Sequence, residues 1–119
     1  MRRLTTSLAL IALAAVPAVA LAHDDAKPKT HTVRVGDDFF NPTTKKIHVK
    51  DVVKWVWVGE DGEPGATVNE HTITEAKDRF SSATKTEGTF KYRFKKAGKF
   101  TVYCADHPLT MKLTVTVKK

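Results

Sequence analysis

The chain has a single cysteine, Cys104, in 119 residues, so no disulfide within the chain can staple the fold. It has no apolar run of the ~20 residues that a membrane-spanning helix needs. No segment carries a convincing helical period, and there is no internal repeat or low-complexity tract. No paired carboxylates or nucleophile–base set of a hydrolytic enzyme stands out either. These absences exclude a disulfide scaffold, a long coiled coil and, at roughly one domain's length, a multidomain enzyme. What remains is an ordinary globular balance of 41% hydrophobic and 28% charged residues, with a formal net charge of +7.

The first residues read as an export signal. Arg2 and Arg3 form a basic start, residues 8–20 are apolar apart from Pro17, and Ala20-Leu21-Ala22 offers small residues at a cleavage site. Residues 1–22 are therefore expected to be a signal peptide cut before His23, with the mature protein periplasmic or otherwise exported and not inserted in a membrane. No cysteine follows the apolar run, so a lipid attachment site is missing. Residues 23–30 read as a flexible arm and residues 31–119 as one domain. The mature chain keeps 18 basic and 13 acidic residues, 18 − 13 = +5. A lone thiol in an oxidising compartment is unusual and marks a reactive group, a dimer link or a metal ligand.

Beyond the arm, apolar residues recur with period two. Val33 and Val35 share a face, as do Ile47 and Val49, and then Val53, Trp55 and Trp57. Phe90, Tyr92 and Phe94 form another set, followed by Phe100, Val102 and Cys104 and by Leu113, Val115 and Val117. This is the pattern of half-buried antiparallel strands. Asn41-Pro42, the stretch 59–65 and Lys96-Ala97-Gly98 punctuate it, and residues 75–88 read as a long polar loop around Phe80 with room for one helical turn. About seven short strands in under 100 residues predict an all-β sandwich or barrel.

The chemistry concentrates near the C-terminus, in Tyr103-Cys104-Ala105-Asp106-His107-Pro108-Leu109-Thr110-Met111. A thiolate, an imidazole and a thioether in one loop suit copper, which accepts both soft and borderline ligands. A fourth ligand must come from elsewhere, and His71 is the natural candidate because it opens an alternating run after a Gly/Pro-rich loop. Two histidines, one cysteine and a weak axial methionine form the blue-copper set. Singly, each residue has a plainer reading: Cys104 and Met111 as core filler, the histidines as surface residues. Their conjunction is what argues for a metal. Zinc is the rival, but a thioether is a poor zinc ligand and structural zinc prefers several cysteines. His48 and His31 read as unremarkable, and His23 as an arm residue whose amine and ring can chelate copper(II).

At these residues the chain resembles the cupredoxins, in particular the small plastocyanin-, amicyanin- and pseudoazurin-like proteins. The resemblance spans about residues 31–118. It is carried by Asp38-Phe39-Phe40-Asn41-Pro42, Asp51-Val52-Val53-Lys54-Trp55-Val56, Phe80-Ser81-Ser82, Ala97-Gly98-Lys99-Phe100-Thr101-Val102-Tyr103-Cys104 and the closing run 111–117. It implies a Greek-key β-sandwich with His71, Cys104, His107 and Met111 as ligands of one type 1 copper, and one-electron transfer as the activity. The chain departs from the family pattern at Glu70 and Asp106, where proline is frequent, and at Leu113, where glycine is common. Three residues separate His107 from Met111.

The expectation is a non-enzymatic, monomeric electron carrier, with His107 beside Pro108 and Leu109 as the exit for the electron. The net charge implies a redox partner with an acidic docking surface. Two alternatives stand beside it. One is a copper carrier or storage protein using the same ligands. The other is a binder of nucleic acid or an anionic surface, which lysines scattered along every strand and an export signal both disfavour.

Overall fold

The computed structural model describes residues 27–119. The expected signal peptide and the first half of the arm, His23 included, lie outside the described residues. Eight strands follow: β1 (Thr30–Gly36), β2 (Phe39–Asn41), β3 (Thr44–His48), β4 (Val52–Trp57), β5 (Thr74–Glu75), β6 (Thr89–Arg93), β7 (Gly98–Tyr103) and β8 (Lys112–Lys118). They form two four-stranded sheets, ordered β2-β1-β4-β6 and β3-β8-β7-β5. The described residues contain no helix, so the all-β sandwich expected from the alternation is the observed fold.

The period-two residues are the core. Val33, Val53, Trp55, Trp57, Phe94, Val102, Cys104, Leu113 and Val115 are all fully buried, while Lys46, Lys91 and Lys112 between such residues face water. The residues 75–88 form a loop without the helical turn, and it is not detached from the core. Phe80 in that loop is buried, stacks on Tyr92 with centroids 3.8 Å apart and meets Phe94 edge-on at 5.6 Å. Aromatic burial of this kind anchors a polar segment that has no sheet of its own.

Two pairings differ from the antiparallel expectation. β1 runs parallel to β4, and β3 runs parallel to β8. The cause is the route of the chain. It leaves the first sheet for β3 before returning as β4, so β1 and β4 enter their sheet from the same end. Local alternation specifies which face is buried but carries no information on strand direction.

β1 begins at Thr30. The Lys29 backbone N–H donates to Asp51 Oδ1 at 2.9 Å, and Thr30 is already in register with Val52. His31 also proves to have a structural part, because its Nε2 lies 2.9 Å from Asp51 Oδ2. The His48 backbone N–H donates to the same oxygen at 3.0 Å. His48 itself is exposed, as its lysine neighbours imply. Burial alone would push the Asp51 carboxyl up. The amides of Lys29 and His48 and the His31 ring outweigh it and bring the pKa to about 2. Glu75, fully buried in β5, is also lowered to about 2, chiefly by its bond from Arg79 and against the effect of burial.

Both carboxylates therefore contribute stability that is complete above their unfolded values near pH 4 and lost as pH falls toward 2. A shift of about two units corresponds to roughly 2–3 kcal/mol per group. Chemical denaturation across this range should show stability falling between pH 4 and 2. Asp51→Asn should flatten that slope while lowering stability at neutral pH.

Candidate metal centre

Three of the four predicted ligands converge. Cys104 directly follows β7, and its side chain is fully enclosed in the core that also holds Met111. His71 comes from the segment leading into β5, the strand that pairs with β7. It is held by a two-way backbone bridge, donating to Lys85 O at 3.0 Å and accepting from Lys85 N at 3.0 Å. The indole of Trp57 caps the same Lys85 carbonyl at 3.1 Å. His107 sits in the turn after Cys104 and is 34% exposed.

The 104–111 loop is tied by its own backbone. The His107 N–H donates to Cys104 O at 3.1 Å, the Met111 N–H to His107 O at 3.0 Å, and the Cys104 N–H to Met111 O at 3.1 Å. The last bond closes the loop at its neck. Met111 is buried at that neck, on the strand side of the loop.

Both imidazoles present Nδ1 to the sulfur: His71 Nδ1 and His107 Nδ1 each lie 3.8 Å from Cys104 Sγ. The three donor atoms lie within 4.8 Å of one another. Metal bonds of about 2.3 Å to sulfur and 2.0–2.1 Å to nitrogen, opened to 120°, put the two donors about 3.8 Å apart. A tetrahedral angle with the same bonds would put them about 3.6 Å apart. The observed spacing lets one metal ion reach all three donors, and a set of one thiolate and two imidazoles suits copper better than structural zinc, which prefers several cysteines.

The sulfur and its loop are steadied by Thr72, which sequence reading missed. The Thr72 backbone N–H points at Cys104 Sγ from 3.4 Å. Its hydroxyl accepts the Ala105 N–H at 2.8 Å and pairs with Thr74 Oγ1 at 3.0 Å. An N–H aimed at sulfur favours the thiolate and removes charge density from it. Sequence reading also missed Asp37 and Asp38. Asp37 Oδ1 lies 3.1 Å from His71 Nε2, and Asp38 Oδ1 lies 3.2 Å from His107 Nε2. The His71 ring and the Asn69 amide hold the Asp37 carboxyl below the usual range. Two consecutive acids in a tight turn are visible in the sequence. The histidines they meet, 34 residues further on in the case of Asp37, are not.

Solved structures share this architecture. The chain has the cupredoxin fold. An amicyanin variant in its Cu(I) form aligns with a TM-score of 0.61 at 16% identity, over 75% of this chain and 82% of that one. Plastocyanin from Dryopteris crassirhizoma aligns at 0.57 and 22%, over 74% and 100%. A purple cupredoxin from Nitrosopumilus maritimus aligns at 0.60 and 20%, over 73% and 98%. The same cupredoxin fold also matches a copper-containing nitrite reductase from Thermus scotoductus SA-01, of which it spans 22%. No family model matches the chain, and no curated protein matches it in sequence.

The loop's dependence on Thr72 is testable without metal. Thr72→Val keeps the N–H facing sulfur but removes the acceptor of the Ala105 N–H, which should cost about 1 kcal/mol. Amide exchange at Ala105 should quicken markedly in the variant. Unchanged exchange there would mean the hydroxyl does not hold the loop.

Proposed function

We propose that the protein is a type 1 copper protein that carries single electrons between redox partners outside the cytoplasm. The observation that supports this best is the pair of imidazole nitrogens at 3.8 Å from one buried sulfur. Copper, when bound, supplies a one-electron couple. Cys104 gives it a thiolate, His71 and His107 complete the plane, and Met111 is the weak axial donor. His71 is sealed in the core, so the half-buried edge of His107 is the short route to a partner. The reading assigns the protein no catalytic residue and treats it as a monomer. Its place outside the cytoplasm rests on the signal sequence.

A copper-delivery or storage role would use the same ligands. The hydrogen bonds that close the 104–111 loop favour electron transfer, because release needs that loop to open. They also keep the ligands in place when the charge on the metal changes.

The partner's charge is better judged from placement than from the sum. Exposed acids cluster at the ligand end: Asp37 and Asp38 on the histidines, with Glu70 and Asp106 next to them in sequence. Lys50, Lys95 and Lys96 sit in turns at the far end, where Lys50 N donates to Phe94 O. A six-residue strand separates the ends by about 20 Å, and fields decay over about 8 Å at physiological ionic strength. This placement favours a partner with a basic docking surface beside the acidic one that the net charge implies. Phe39 and Leu109, the exposed large hydrophobics among the described residues, neighbour Asp38 and His107 in sequence and supply the apolar contact.

Copper(II) should bind one per chain and give an intense visible band. Cys104→Ser should abolish that band, because an alcohol oxygen does not supply the sulfur-to-copper charge transfer. A band that survives would overturn the assignment. Met111→Leu should keep copper and raise the reduction potential, since copper(II) loses a donor; an unchanged potential would remove Met111 from the ligand set. In stopped-flow mixing, a cationic c-type cytochrome should exchange electrons faster than an anionic one, and the advantage should shrink with salt. The reverse order would favour the acidic partner.

A further inference from the structure

The turn between β1 and β2 is two residues long, Asp37 and Asp38, because Gly36 pairs with Phe39. Its shape is tightly specified. A Cβ on Gly36 would lie 2.2 Å from the Phe39 ring, so that ring packs on bare backbone. Asp38 has φ +65°, a left-handed conformation that Asp and Asn adopt more readily than most residues. Asp37 also accepts the Asn69 backbone N–H at 2.9 Å, which ties the turn to the loop leading into His71. One short rigid turn thereby sets a carboxylate against the outer nitrogen of each histidine, at 3.1 and 3.2 Å.

A neutral imidazole has one N–H and one lone pair, and a carboxylate can only accept. Asp37, hydrogen-bonded to His71, therefore fixes that ring with the proton on Nε2, and Asp38, 3.2 Å from His107 Nε2, favours the same tautomer because a carboxylate repels a lone pair; in both rings the lone pair falls on Nδ1, the atom that faces Cys104 Sγ. The two acids also add negative charge behind the ligands, which favours the more positive oxidation state of a bound metal.

We propose that Asp37 and Asp38 are positioning residues of the metal centre, holding both histidines in the ligating tautomer and lowering the reduction potential. This rests on the copper reading above and adds what sets the properties of that site. Asp37 is 43% exposed and faces a buried ring, whereas Asp38 is 66% exposed and faces a half-exposed one. The effect of Asp37 should accordingly be larger, and that of Asp38 more sensitive to salt.

Two substitutions at residue 38 separate its charge from its polar contact with His107, and both tolerate its backbone. Asp38→Asn removes the charge and keeps an acceptor; Asp38→Gly removes both. Asp37→Asn repeats the charge test at His71. Asp61→Asn is the control, an exposed acid in the 58–71 loop with no bond to either ring. Voltammetry of the copper-loaded protein should show Asp37→Asn and Asp38→Asn raising the potential. A tenfold loss of copper(II) over copper(I) affinity, the low end for such outer partners, is a rise of about 59 mV. Asp61→Asn should move it far less. In the metal-free full chain at about pH 8, where imidazole is neutral, nitrogen NMR should find His107 with its proton on Nε2. That preference should persist in Asp38→Asn and be lost in Asp38→Gly. Potentials in both Asn variants no higher than in the Asp61 control would overturn the proposal, as would a tautomer indifferent to Asp38→Gly. A wild-type protein that takes no copper colour would defeat the copper reading, and the tautomer measurement would still decide the positioning.

Discussion

Everything at this site depends on one buried sulfur being shared. Cys104 Sγ is enclosed in the core, and two imidazole nitrogens and one amide N–H are all aimed at it. Nothing within the chain bonds these donors covalently, so the sandwich has to hold them. It does so through three segments: β7 leads directly into Cys104, the bridge to Lys85 holds His71, and the self-bonded 104–111 loop holds His107. A site built this way is held by packing and hydrogen bonds, so the metal need not organise it. That is the condition for rapid electron transfer, since a ligand that moves with oxidation state adds to the barrier.

The same constraint explains the outer layer. Imidazoles are free to rotate and to exchange tautomers unless the second nitrogen has a partner. Here each has one, and both partners come from the β1–β2 turn, which Gly36 and the left-handed Asp38 make compact. The acids that orient the ligands also set the sign of the local field. A chain with 20 basic residues against 13 acidic ones still sets acidic side chains against both histidines. Screening over about 8 Å makes that local charge, and not the total, the quantity a docking partner meets.

Much of this was legible in the sequence. The alternation of Val53, Trp55 and Trp57 and of Leu113, Val115 and Val117 marked the buried faces correctly, because burial on one face imposes period two. The ligands His71, Cys104 and His107 were legible because soft and borderline donors rarely fall so close together without a metal. What was hidden depended on contacts between distant segments. The parallel pairing of β1 with β4 is set by the chain's route between sheets, and alternation is blind to it. Thr72 acts through a backbone N–H, which every residue but proline possesses. Asp51 looked like part of a strand entry and His31 like a bystander, yet together they anchor the start of the domain.

The central claim is a preformed centre of one thiolate and two imidazoles. X-ray absorption at the copper edge, recorded on oxidised and reduced protein, tests it most directly. The account predicts one short copper–sulfur bond and two imidazole nitrogens in both states, with nearly unchanged lengths. A copper surrounded only by nitrogen and oxygen, or one that loses an imidazole on reduction, would contradict it.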